Sequence, residues 1–143
     1  MKKIISLAFI IMIAIFSCKK EDTKPVTKSD FLTSGTWAVT DVVSDDDGDG
    51  TYETHDFPDF VACYTDNIYT FHSDGKWEMN EGASKCDPGD PQSDTALWQL
   101  INNEKDIILG VDTYSIVELS NTKLQVKLMY EDNRSSQVTF TKR

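Results

Sequence analysis

Apolar residues follow two different patterns along this chain. From Ile4 to Phe16 every residue is apolar or small, with no periodicity. Beyond residue 35 apolar and polar residues alternate in short runs, the period-two signature of half-buried strands. The runs predict strands at 36–43, 51–55, 68–72, 76–80, 95–101, 106–111, 114–119, 123–130 and 137–142. Ser29-Asp30-Phe31-Leu32-Thr33 predicts one short helical turn before the first strand. Ser73-Asp74-Gly75, Asn102-Asn103-Glu104, Asn121-Thr122 and Asp132-Asn133 supply turn residues between runs.

Eight or nine short strands joined by tight turns should pair with their sequence neighbours as an antiparallel meander. Such a sheet either closes or leaves exposed edges, so an all-β, eight-stranded, closed or nearly closed barrel is expected. Residues 30–143 form one domain, since about 114 residues support one core and not two. Alternation sends Trp37, Val39, Phe71, Trp77, Met79, Ala96, Trp98, Leu100, Ile107, Leu109, Ile116, Leu124, Val126, Leu128, Val138 and Phe140 inward. It sends Lys76, Glu78, Gln99, Gln125, Lys127, Thr139 and Thr141 to water. A slip of one residue would invert each assignment.

The first 17 residues read as an export signal. Met1-Lys2-Lys3 is positive, and the apolar run behind it is too short to span a bilayer. It ends in Ile15-Phe16-Ser17-Cys18, which resembles a lipobox. That resemblance implies cleavage before Cys18, diacylglycerol on its thiol and a bacterial lipoprotein. The other reading is an ordinary secretory signal with an incidental Cys. Residues 18–29 would be the acylated Cys and a polar, flexible tether. Within it, Lys20-Glu21-Asp22 resembles the Lys-plus-acidic signal that sends some Gram-negative lipoproteins to the outer face of the outer membrane; a generic charged linker reads equally well. The expected location is thus the outer membrane, on its periplasmic face or at the cell surface.

The formal charge is −10, and loss of Lys2 and Lys3 with the signal takes it to −12. Such a chain repels nucleic acid and anionic membrane surfaces. Membrane contact would come through lipid on Cys18, and a monomer is expected. Of the remaining cysteines, Cys63 and Cys86 should form a disulfide in an oxidising compartment. The rival, a metal pair with His55 and His72, fits no familiar zinc spacing.

One segment has cation-binding chemistry. Read as a twelve-residue calcium loop starting at Asp45, it places Asp45, Asp47 and Asp49 at positions 1, 3 and 5, and Gly50 at 6, where the chain must turn. The Thr51 carbonyl falls at 7, Glu53 at 9 and Asp56 at 12. Asp at 12 resembles dockerin-type loops, and no EF-hand helices flank it. A solvated acidic turn between the first two strands is the alternative. No cofactor is required, and calcium is the one the pattern admits, to stiffen a loop.

Gly35-Thr36-Trp37, opening the first strand behind a helical turn, resembles the Gly-x-Trp element of lipocalins. There the Trp closes the barrel base and a basic residue of the last strand packs on its indole, a role open here to Lys142 or Arg143. Residues 31–143 look most like the small lipocalin-like domains of bacterial lipoproteins. Cys63, Asp66, Phe71-His72-Ser73-Asp74-Gly75, Cys86, Trp98 and Leu124-Gln125-Val126 match their order. The resemblance implies a non-catalytic protein that binds a small hydrophobic molecule, with Trp37, Phe71, Trp77, Met79 and Trp98 as candidate ligand contacts. The same residues could instead fill the core. The barrel would then be a scaffold for protein or glycan contacts through loops 44–56 and 82–94 and the aromatics Tyr52, Phe57, Phe60 and Tyr64. Enzyme motifs are absent: there is no Gly-x-Ser-x-Gly, His-Glu-x-x-His or phosphate loop.

Overall fold

A computed structural model describes residues 25–57 and 62–143. The expected export signal, Cys18, residues 19–24 and Phe60 lie outside the described residues. The order is α1 (Lys28–Thr33), β1 (Thr36–Asp45), β2 (Thr54–His55), α2 (Ala62–Thr65), β3 (Ile68–Phe71), β4 (Lys76–Asn80), β5 (Ser93–Ile101), β6 (Asp106–Leu109), β7 (Asp112–Leu119), β8 (Lys123–Met129) and β9 (Ser135–Lys142). All pairings are antiparallel. They run β1-β3-β4-β5-β6-β7-β8-β9, and β9 returns to β1 from Trp37↔Lys142 to Asp45↔Ser135. The meander is therefore an eight-stranded ring, with β2 an appendage on the far end of β1. Every strand of the ring has a neighbour on each side, so no long backbone edge is left open.

Two bulges set which residues face inward. The β1–β9 register shifts between Val39 and Asp41, and the β7–β8 register between Ile116 and Glu118. Each adds one residue and reverses the parity of the rest of its strand. Val39 and Val42, and likewise Ile116 and Leu119, thus share the inner face, whereas Val117 turns out and is 51% exposed.

One end of the ring is sealed by α1. Thr27 caps that helix, its hydroxyl accepting from Asp30 N while its own N–H donates to Asp30 Oδ2. Leu32 is fully buried over Trp37, which is also 0% exposed and donates its indole N–H to Leu32 O at 2.9 Å. Lys142 Nζ sits 4.9 Å from the centre of the Trp37 ring and donates to Phe31 O, Ser34 Oγ and Asn121 Oδ1. It binds a carbonyl at the helix C-terminus, where a cation is favoured. Burial pulls its pKa below the usual lysine value. Of the two basic residues considered for the indole contact, the structure selects Lys142. The helix begins at Lys28, so the ordered domain includes the last two residues expected to be tether.

Phe71, Ile107, Leu124, Val126 and Phe140 complete the packed core with Leu32 and Trp37. Cys63 and Cys86 are bonded, their Cα atoms 5.1 Å apart, tying α2 to the loop between β4 and β5. Closing a loop of this size stabilises by about 3 kcal/mol. Gly82 in that loop has φ +66° and lies so close to Asp66 that a Cβ would come within 2.5 Å of its carbonyl oxygen. The strand expected at 51–55 shortens to two residues, because the chain before it is held in turns by the aspartates of the acidic loop.

Candidate functional site

The other end of the ring is open. Toward it run Val42 and Ser44 of β1 and Leu128 of β8, and from it β9 departs at Ser136. A cavity of about 440 Å³ enters the ring here, within the range that holds small molecules. Its walls are Val39, Val42, Leu109, Val126 and Val138, with the aromatics Tyr69, Trp77, Tyr114 and Phe140; Asp112 stands exposed at the rim. Tyr69 stacks on Trp77 at 5.8 Å between ring centres and meets Phe140 edge-on at 5.3 Å. Burial raises the Tyr69 hydroxyl pKa. It also raises that of Tyr114, where the negative charge of Asp112 adds to the effect.

A second hollow of about 460 Å³ adjoins the first, sharing Val42, Tyr114 and Val138. Its polar wall is a hydrogen-bonded chain. Tyr130 Oη lies 3.1 Å from Ser136 Oγ, Ser136 Oγ lies 3.0 Å from Ser44 Oγ, and Ser44 donates to Asp56 Oδ2 at 2.6 Å.

The five aromatic and sulfur residues expected at a ligand site do not line one common space. Trp77 lines the main cavity. Trp37 and Phe71 are buried below it, 0% and 2% exposed, and act as its base. Met79 lines a separate hollow of about 80 Å³ beside Trp77. Trp98 packs edge-on against Phe71 at 5.6 Å and donates its N–H to His72 O. Tyr69, Tyr114 and Phe140 do more of the lining than alternation alone could reveal.

Four buried side-chain atoms lack hydrogen-bond partners among the described residues. Trp77 Nε1 is buried with no acceptor, and Asp66 Oδ1, Asn67 Oδ1 and Glu81 Oε2 are buried with no donor among the described residues. Asn67 is itself 3% exposed. A buried polar group left unpaired costs about 1–3 kcal/mol, and of these four residues Trp77 is the one that lines the main cavity.

The acidic loop forms a compact turn beside this end. Carboxylate oxygens of Asp45, Asp47 and Asp49 lie within 4.8 Å of one another. Asp45, 2% exposed, accepts Gly48 N at 2.8 Å through Oδ1 and Gly50 N at 3.1 Å through Oδ2. Gly50 adopts φ +93°, a turn open to glycine at the predicted sixth position. Asp47 accepts Asp49 N, and Asp49 accepts Thr51 N, which lowers the Asp49 pKa. The six expected ligands do not all converge. Asp56 turns to Ser44, where β2 pairs with β1, and Glu53 stays outside the group of three. Thr51 contributes its N–H to the turn.

Of the aromatics considered for surface contacts, Tyr52 is half-buried with its hydroxyl 3.1 Å from Ser135 Oγ, and Tyr64 is 52% exposed. His55 and His72 face Asp41 and Glu78 at 3.6 Å and 3.5 Å on the exterior, away from the disulfide they were considered with. In comparisons with known proteins, no protein-family model matches this chain and no curated protein is significantly similar to it.

Proposed function

We propose that this chain is a lipid-anchored, lipocalin-like binding protein. It would be held to a bacterial outer membrane through Cys18 and take a small hydrophobic molecule into the open end of its ring, without catalysis. The observation that carries the reading is an apolar, aromatic-walled cavity of about 440 Å³ above a sealed base. A filled scaffold would place side chains where this space lies. The Trp37–Lys142 contact supports the likeness to lipocalins.

The neutral fluorophore N-phenyl-1-naphthylamine tests it. It should bind once per chain, saturably, and quench tryptophan fluorescence through Trp77. Val138→Trp, which projects into both hollows, should weaken binding at least about tenfold, with overpacking costing about 1–3 kcal/mol of stability. Binding that survives this substitution at full strength would place the probe elsewhere and remove the cavity reading.

The three clustered aspartates favour a second, additive role: calcium stiffening the 45–51 turn through Asp45, Asp47 and Asp49. Calcium at a hundred times its Kd would stabilise the fold by about 2.7 kcal/mol. The gain should appear as a higher Tm that chelator reverses and Asp47→Asn abolishes. A Tm indifferent to calcium would leave the segment a turn held only by its own amides.

A further inference from the structure

The main cavity and the hollow beside it each have one charged lining residue, Asp112 in the first and Asp56 in the second. Neither carboxylate has an ion-pair partner among the described residues. Among the described residues no Lys, Arg or His lines either space. Of the buried side-chain atoms without partners, Trp77 Nε1 is a donor on a wall residue of the main cavity, while Asp66, Asn67 and Glu81 carry acceptor oxygens outside both linings. Asn67 and Glu81 lie one residue beyond the Ile68–Asn80 pair, at the end of the β3–β4 hairpin that faces the opening. The Asp112 and Asp56 carboxylates accept hydrogen bonds and repel anions, and the aromatic faces of Tyr69, Trp77 and Tyr114 attract positive charge.

We infer that the ligand is an amphiphile whose polar end is a cationic N–H donor, seated against Asp112 with its apolar body across Trp77 and Tyr69. This rests on the cavity being a ligand site. It sets the ligand apart from fatty-acid and phosphate-bearing lipids, whose anionic ends would meet carboxylates with no cation among the described residues lining either space.

Decylammonium, 1-decanol and decanoate share one chain and differ in charge, so their binding to the full-length protein at neutral pH isolates this effect. Decylammonium should bind about tenfold more tightly than decanol, and decanoate most weakly. Asp112→Asn should close most of the gap between decylammonium and decanol. Glu104→Gln, which removes the same charge at the sealed end, should leave it intact. Equal narrowing by Glu104→Gln would assign the preference to the chain's overall acidity and overturn the inference. Decanoate binding as well as decylammonium, in a manner abolished by Val138→Trp, would also overturn it while leaving the cavity reading in place. Failure of all three compounds to bind would remove both.

Discussion

Trp37→Ala should cost about 4 kcal/mol, read as a lower urea midpoint, because the fully buried indole supports three elements at once. Its removal leaves a void under Leu32, strips the Leu32 carbonyl of its donor, and takes away the surface on which Lys142 rests. Trp37→Phe should recover part of the loss by restoring volume without the N–H. Lys142→Met should be milder, at about 1 kcal/mol, since a cation–π contact and hydrogen bonds to one part-buried carbonyl and two exposed side-chain oxygens are individually modest. A Trp37→Ala protein with a midpoint near that of the parent would show that the ring does not need this plug.

Acylation at Cys18 should give an all-or-none difference. Metabolic labelling with an alkynyl fatty acid should mark the protein and carry it into the detergent phase on phase separation. Cys18→Ala should abolish the label. One chain holds a protein to a bilayer only marginally and two hold it stably, at about 0.8 kcal/mol per buried methylene. Label persisting in Cys18→Ala, or a natural chain that takes none, would reduce residues 1–18 to a plain export signal.

Strand positions were readable because period-two alternation and turn residues coincide. From β3 to β9 each expected run overlaps one observed strand, and Asn102, Asn103, Glu104 and Asn133 adopt the left-handed backbone their turns demand. The bulge at Thr40 could not be read, because Val42 and Val43 are both apolar and either fits the inner face. Leu32 was hidden for a different reason. A helix of six residues is too short to show a periodicity, so its one buried side chain looks like any apolar residue in a linker. The binding site was the least legible part. Alternation states which side of the sheet a residue occupies but not the neighbours it meets there. Phe71 and Trp77 are direct cross-strand partners, yet Phe71 packs on Trp98 in the core while Trp77 stacks on Tyr69 in the cavity wall, so the neighbours each ring meets divide them. The clustering of carboxylates was legible from Asp45 as far as Asp49. Its later positions fell away because the pairing of β2 with β1 directs Asp56 elsewhere.

The helix that plugs the ring is also where the chain enters it, and this fixes how the molecule would stand on a membrane. With Cys18 acylated, residues 18–24 span at most roughly 25 Å, and they join the domain beside the plug. The protein would stand like a cup on a short stem, base toward the lipid and brim toward the aqueous phase. Cargo would then be exchanged with carriers or partners in that phase, and reaching the stem's own bilayer would require the whole cup to tip over.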